Sequence, residues 1–174
     1  MVCCGISLYV MNFNPMNRLL LTLLIFSSLV QIGCKSKPKF DYNYEMVCQY
    51  QGKGGSYFLK VFTYGKDEQD AIRKAKYSVI HGVLFKGVSS GQCGNYPPIC
   101  HKTYEENSKY FDDFFSSGSY LKYVNVSNDY SIPAEDRVKT PNGLKIGVMV
   151  SVNYEALKTE MEKLGYSLKL NKIF

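Results

Sequence analysis

Apolar and polar positions follow two periods along this chain, and together they predict most of its elements. From Leu144 to Val152 every second residue is apolar: Leu144, Ile146, Val148, Val150 and Val152. Period two places all five on one face of a β-strand. Tyr44 to Gln51 and Ser56 to Tyr64 also read as strands, the second rich in β-formers (Tyr57, Phe58, Val61, Phe62, Thr63). The turn signal Gly52-Lys53-Gly54-Gly55 between them predicts a hairpin. Tyr120 to Val126 reads as a further short strand.

Helical spacing takes over at Asp67. From there to Leu84, Ala71, Ile72, Ala75, Val79, Gly82 and Val83 fall within an arc of about 120°. Asp67, Glu68 and Asp70 suit the positive end of the helix dipole. Three of the arc residues are Ala or Gly, so this helix is expected to lie close to a sheet. His81 falls on the other side with Lys74 and Tyr77, which predicts a solvated histidine. A second helix is expected over Thr103 to Ser116, with Tyr110, Phe111, Phe114 and Phe115 on its apolar side and Gly118 as its stop. A third runs from Tyr154 to Leu164, with Asn153 as N-cap, Leu157, Met161 and Leu164 as its buried stripe and Gly165 as its end. Lys86–Lys102 and Asn128–Gly143, which carry the chain's Pro97, Pro98, Pro133 and Pro141, read as loops. The expected order is β-β-α-α-β-β-α. Strands adjacent in sequence tend to pair antiparallel, so this is an α+β fold: a small antiparallel sheet with helices packed on one face.

The first third has another pattern. Arg18 precedes Leu19–Val30, an apolar run broken only by Thr22, Ser27 and Ser28. At about 1.5 Å per residue this run is about 18 Å long, short of the roughly 30 Å a membrane core requires. A positive residue, a short apolar run and small residues make a secretory signal. Met16 is a natural start for it, which leaves Cys3 and Cys4 outside the cysteine arithmetic. The run ends at Leu29-Val30-Gln31-Ile32-Gly33-Cys34. Gly33-Cys34 resembles the lipobox of bacterial lipoproteins, in which the cysteine is acylated and becomes the first mature residue. Gln31 departs from the aliphatic residue usual at its position. The resemblance implies a signal peptide over 1–33, a lipidated tether over 34–41 and a single α+β domain over 42–174. It makes the membrane a partner through lipidated Cys34. No acid follows Cys34 before Asp41, which by the sorting habits of that family implies the outer membrane. Lys35, Lys37 and Lys39 favour its periplasmic side.

The domain itself is similar to LPP20-like and FlgT-N-like periplasmic lipoprotein domains and to Bacteroidota lipoproteins. The stretches that carry the likeness are Tyr64–Lys76, with Ala71 and Ala75 at the A-x-x-x-A spacing, Ala75–Gly87, and the valine-rich Gly147–Asn153. It implies a fold and an envelope location, and brings no catalytic residue with it.

Composition narrows the chemistry. The chain of 174 residues carries a net charge of +6, and removing residues 1–33 takes away only Arg18, leaving +5. That charge is thinly spread, so nucleic acid is not expected as a partner. After Cys34 come Cys48, Cys93 and Cys100. A Cys93–Cys100 bridge around Gly94, Pro97 and Pro98 is the favoured pairing, and Cys48 with Cys93 or with Cys100 is the rival that spacing leaves open. Cys93, Cys100 and His101 lack the spacing of a zinc site, and neither metal nor cofactor is expected. The acid pairs Glu105-Glu106, Asp112-Asp113 and Glu135-Asp136 are adjacent and point apart. Gly52–Ser56 lacks phosphate-loop spacing. Tyrosines cluster at Tyr42, Tyr44, Tyr50, Tyr57 and Tyr64, where they suit an interface or an ordinary sheet. The expectation is a non-enzymatic envelope lipoprotein that binds or supports another envelope component. The alternatives are a small-molecule binding module on the tyrosine-rich sheet and a hydrolase using the Cys93–His101 loop.

Overall fold

A computed structural model describes residues 42–127, 132–141 and 143–168. The expected signal peptide over 1–33 and the expected tether over 34–41 with Cys34 lie outside the described residues. The core is the pairing of β2 (Ser56–Gly65) with β5 (Gly143–Asn153), antiparallel from Ser56 opposite Asn153 to Gly65 opposite Leu144. Strand β1 (Tyr44–Gln51) pairs with the other edge of β2, with a bulge between Cys48 and Tyr50. The free edge of β5 is shared: β3 (Val124–Val126) lies opposite Val150–Val152, and β4 (Arg137–Thr140) opposite Gly143–Ile146. All five strands are antiparallel, in the order β1-β2-β5-β3 with β4 beside β3's end of the same edge.

The period-two pattern decides which face is buried. Tyr57, Leu59, Val61 and Thr63 of β2 and Ile146, Val148, Val150 and Val152 of β5 are buried on one side. Phe58, Lys60 and Phe62 are half-buried on the other, with Tyr64 exposed. Helix α1 (Glu68–Phe85) lies on the buried side, begun by Asp67, whose side chain accepts a 2.8 Å hydrogen bond from the Asp70 amide. Ala71, Ile72, Ala75, Val79 and Val83 are buried, as the arc requires. Ser78, Ile80, His81 and Leu84 are buried as well. A second layer covers that flank: Tyr77 meets Phe115 at 4.1 Å and Phe85 meets Phe111 at 4.7 Å between ring centres.

The fold is therefore α+β with an antiparallel sheet, and the element order is β-β-α-α-β-β-β-α. Four local expectations need correction. The second helix is interrupted: a 3-10 turn at Glu105–Asn107 precedes α2 (Ser108–Ser116). Its start is set by Thr103 and Glu106, with the Glu106 carboxylate accepting from the Thr103 amide at 2.7 Å. Residues Ser119–Tyr123 are a 3-10 turn and not strand. Tyr120 and Tyr123 are both buried, and three residues per turn puts them on one side. Strand β4 occupies part of the expected Asn128–Gly143 loop; Arg137, Val138 and Lys139 are all exposed, so no buried alternation marks it. Finally, α3 (Tyr154–Lys163) buries Leu157 and Met161, but Leu164 is 44% exposed. The helix has stopped before it, and past left-handed Gly165 the ring of Tyr166 packs on the core instead. The Asn153 cap holds, its side chain accepting from the Ala156 amide.

On the face away from α1, the Lys60 ammonium meets the Asp136 carboxylate at 2.7 Å. Asp136 reaches it over Gly147, the residue of β5 opposite Phe62. A Cβ on Gly147 would sit 2.8 Å from the Phe62 ring and 3.1 Å from Asp136 Oδ1. Overpacking of this kind costs about 1–3 kcal/mol. Gly147→Ala is expected to lower stability by that amount, read as a lower urea midpoint with the slope unchanged. A midpoint equal to the parent's would show that the ion pair does not cross over this residue.

Candidate functional site

The Cys93–His101 loop is built around β1. Val88 and Tyr96 exchange two main-chain hydrogen bonds of 2.8 Å, which closes a small loop between them. Within it, Ser90–Gln92 runs beside β1: the Cys48 amide donates to Ser90 O (3.0 Å) and the Gln92 amide donates to Cys48 O (2.9 Å). The Ser90 hydroxyl also donates to Met46 O. Gly91 makes this approach feasible. Its φ is +101°, and a Cβ there would fall 1.9 Å from Cys48 O.

That docking sets the cysteine pairing. Cys93 is bonded to Cys48, with Cα atoms 5.7 Å apart, and Cys100 is a free, buried thiol. The favoured Cys93–Cys100 bridge is thus corrected in favour of a rival. The reason lies in the main chain. After Pro97 and Pro98, the Ile99 and Cys100 amides donate to Val83 O and Leu84 O and so pin Cys100 to the end of α1. Burial pushes its thiol up to about 12. His101 is exposed on the next residue. With Cys93 consumed in a disulfide and Cys100 neutral, this loop presents no thiolate nucleophile.

The structure brings together a different group that periodicity had dispersed. His81 is 6% exposed, not solvated. Its ring lies 4.3 Å from that of Tyr42, 5.2 Å from Phe85, 5.9 Å from Tyr104 and 6.0 Å from Tyr44. Tyr77 and Phe115 complete the cage. A 2.7 Å hydrogen bond joins Nδ1 to the Tyr44 hydroxyl. Burial, helped by the nearby Lys86 ammonium, holds the imidazole's pKa down at about 4. Lys86 itself sits 4.3 Å over the Tyr44 ring. Tyr104 donates to Asp112 Oδ1 at 2.7 Å. The Tyr44 phenol is pushed up by burial and by Tyr42. The Tyr77 phenol rises through burial and its hydrogen bond with Tyr42, and that of Tyr104 through burial and its bond to Asp112. At neutral pH this is an uncharged hydrogen-bonding cluster, apart from Asp112 and Lys86 at its rim. One signal could have found it: Tyr77, His81 and Phe85 recur every fourth residue, an aromatic stripe on a second face of α1.

Two surface depressions flank this half of the molecule. An open groove of about 730 Å³ runs between α1 and the 119–123 turn, with Ile72, Tyr120 and Leu121 along it and Gln69, Arg73 and Lys76 around them. A polar one of about 210 Å³ holds Asp113, Lys122 and Glu160 beside Tyr110 and Tyr123. Among the described residues no three His, Cys, Asp or Glu side chains are grouped to hold a metal ion, and no helix is long and apolar enough to cross a membrane. The chain matches no protein-family profile, no curated protein and no solved structure.

The cysteine geometry has a direct test. Closing a loop over a sequence separation of 45 residues constrains the unfolded chain by about 4 kcal/mol in the entropy model. The double variant Cys48→Ala, Cys93→Ala is expected to lose about 2–4 kcal/mol of stability. Mapped alkylation should label Cys100 only after denaturation, and Cys48 and Cys93 only after reduction. Recovery of a cross-linked Cys93–Cys100 peptide would reverse the assignment.

Proposed function

We propose that this chain is an exported, lipid-anchored envelope domain that works by binding another envelope component and not by catalysis. The observation that carries the reading is the Cys48–Cys93 disulfide. Such a bridge persists in oxidising compartments, the envelope among them, and is rare in the cytosol. It agrees with the Arg18–Val30 signal pattern and with Cys34 as acylation site. The tether over 34–41 and the outer membrane as destination belong to the same proposal, as does the periplasmic side.

The binding part is supported by the surface. Tyr50 is 52% exposed, stacked on half-buried Phe58, and Phe62 and Tyr64 continue the same sheet face. Amphipathic aromatics of this kind suit protein interfaces. One observation favours a small-molecule reading as second choice: the groove beside α1, at about 730 Å³, lies in the size range of ligand pockets. The hydrolase alternative loses its support with the thiol chemistry of the loop.

Metabolic labelling with a fatty acid tests the anchor. Label is expected in the parent protein and absent from Cys34→Ala, which should also leave the membrane fraction. Equal labelling of both removes the lipoprotein reading. Cross-linking in intact cells followed by gentle solubilisation tests the partner, and a protein that runs alone in that experiment is not part of an assembly.

A further inference from the structure

The first described residues, Tyr42–Val47, are held to the domain in an uneven way. At Cys48 the strand is clamped on every side: it lies opposite Leu59, it exchanges main-chain bonds with Ser90 and Gln92, and its sulfur is bonded to Cys93. Upstream of that clamp, Tyr44–Val47 pair with β2, the Ser90 hydroxyl donates to Met46 O and Lys145 meets Glu45, while the side chains of Tyr42 and Tyr44 rest on His81. Tyr42 is 39% exposed and forms the outer wall of the cage.

We propose that Tyr42–Val47 is an acid-released latch, in which protonation of His81 frees this segment from α1 while β1 stays fixed from Cys48 onward. The groups that face the imidazole decide the direction. From the leading segment these are the Tyr42 and Tyr44 phenols, and from α1 itself Tyr77, with Lys86 just past the helix end. From the turn before α2 comes Tyr104, and from α2 come Phe115 and, through the Tyr104 hydroxyl, Asp112. The nearby cation repels an imidazolium, the carboxylate already accepts from Tyr104, and the Tyr44 hydroxyl can accept from only one of the ring's two N–H groups. Water becomes the remaining stabiliser, and it reaches the ring when the outermost wall moves. That wall is Tyr42 and Tyr44.

The linkage has a fixed sign. A histidine whose folded pKa is about 4, below its ordinary 6.5, favours the closed form fully above 6.5. That preference is lost as pH falls toward 4. These two values give an increase in opening of about 20-fold between pH 7 and pH 5. The latch needs no anchor. On the anchored reading proposed above, its release lengthens the connection to the membrane by up to about 20 Å.

Hydrogen exchange on the full chain tests it. Protection of amides 45 and 47, which face β2, corrected for the intrinsic rate, is expected to fall about 20-fold from pH 7 to pH 5, while that of the bonded amides of 148–152 in β5 stays constant. His81→Gln should remove the pH dependence, and Tyr44→Phe, which keeps the titrating ring, should retain it. The ring protons of His81 should titrate with the same midpoint as the opening. Loss of protection across the whole sheet, no loss at 45 and 47, or a loss that survives in His81→Gln overturns the proposal.

Discussion

The fold depends on how closely α1 lies against β2 and β5. The contact is made by backbone and small side chains: the Thr63 hydroxyl donates to Ala71 O at 2.9 Å, and Ala71 and Ala75 are fully buried. A helix held this near to a sheet leaves little room for large residues in the contact itself. Bulk must be placed around it, as Leu59 and Val61 below and as Ile80 and Leu84 on the flank. The flank then needs its own cover. Phe111, Phe114 and Phe115 of α2 and the rings of Tyr120 and Tyr123 supply it. The second aromatic layer is thus a consequence of the first contact, and so is the burial of His81.

This explains what could be read in the sequence. The alternation of β2 is strict and that of β5 is broken only at Gly147, because one side of each strand meets a helix and the other does not, apart from the cover of Asp136 and Phe62 over Gly147. The starts of α1 and α3 were legible because Asp67 and Asn153 cap them with their own side chains, a strictly local interaction. Gly118 and Gly165 mark helix ends for an equally local reason, their positive φ. The larger misses involve partners far apart in sequence. His81 shares its side of the helix with Lys74 as well as Tyr77, and most of its aromatic cage comes from elsewhere in the chain, Tyr44 from 37 residues away. Strand β4 exists because β5 offers it an edge, and its own side chains do not require that edge. The 119–123 turn carries strand-forming residues, and the need to bury both Tyr120 and Tyr123 outweighs their propensity.

The cysteines show the same division at one site. Judged by chain distance, Cys93 and Cys100 are natural partners, since closing a short loop costs little entropy. The structure instead spends the 90–100 segment on two tasks at once. Its early part lies along β1, where Gly91 lets two backbones meet, and its late part caps the end of α1 through Ile99 and Cys100. Those tasks pull the two sulfurs apart and set Cys93 against Cys48. Because the bridge spans a sequence separation of 45 residues, it restrains the unfolded chain far more than a local bridge would. It also divides β1 in two. From Cys48 onward the strand is covalently part of the domain. Before it, the strand keeps its ladder to β2 and contacts at Glu45 and Met46, and the side chains of Tyr42 and Tyr44 rest on a neutral histidine, a part of the grip that responds to a single proton.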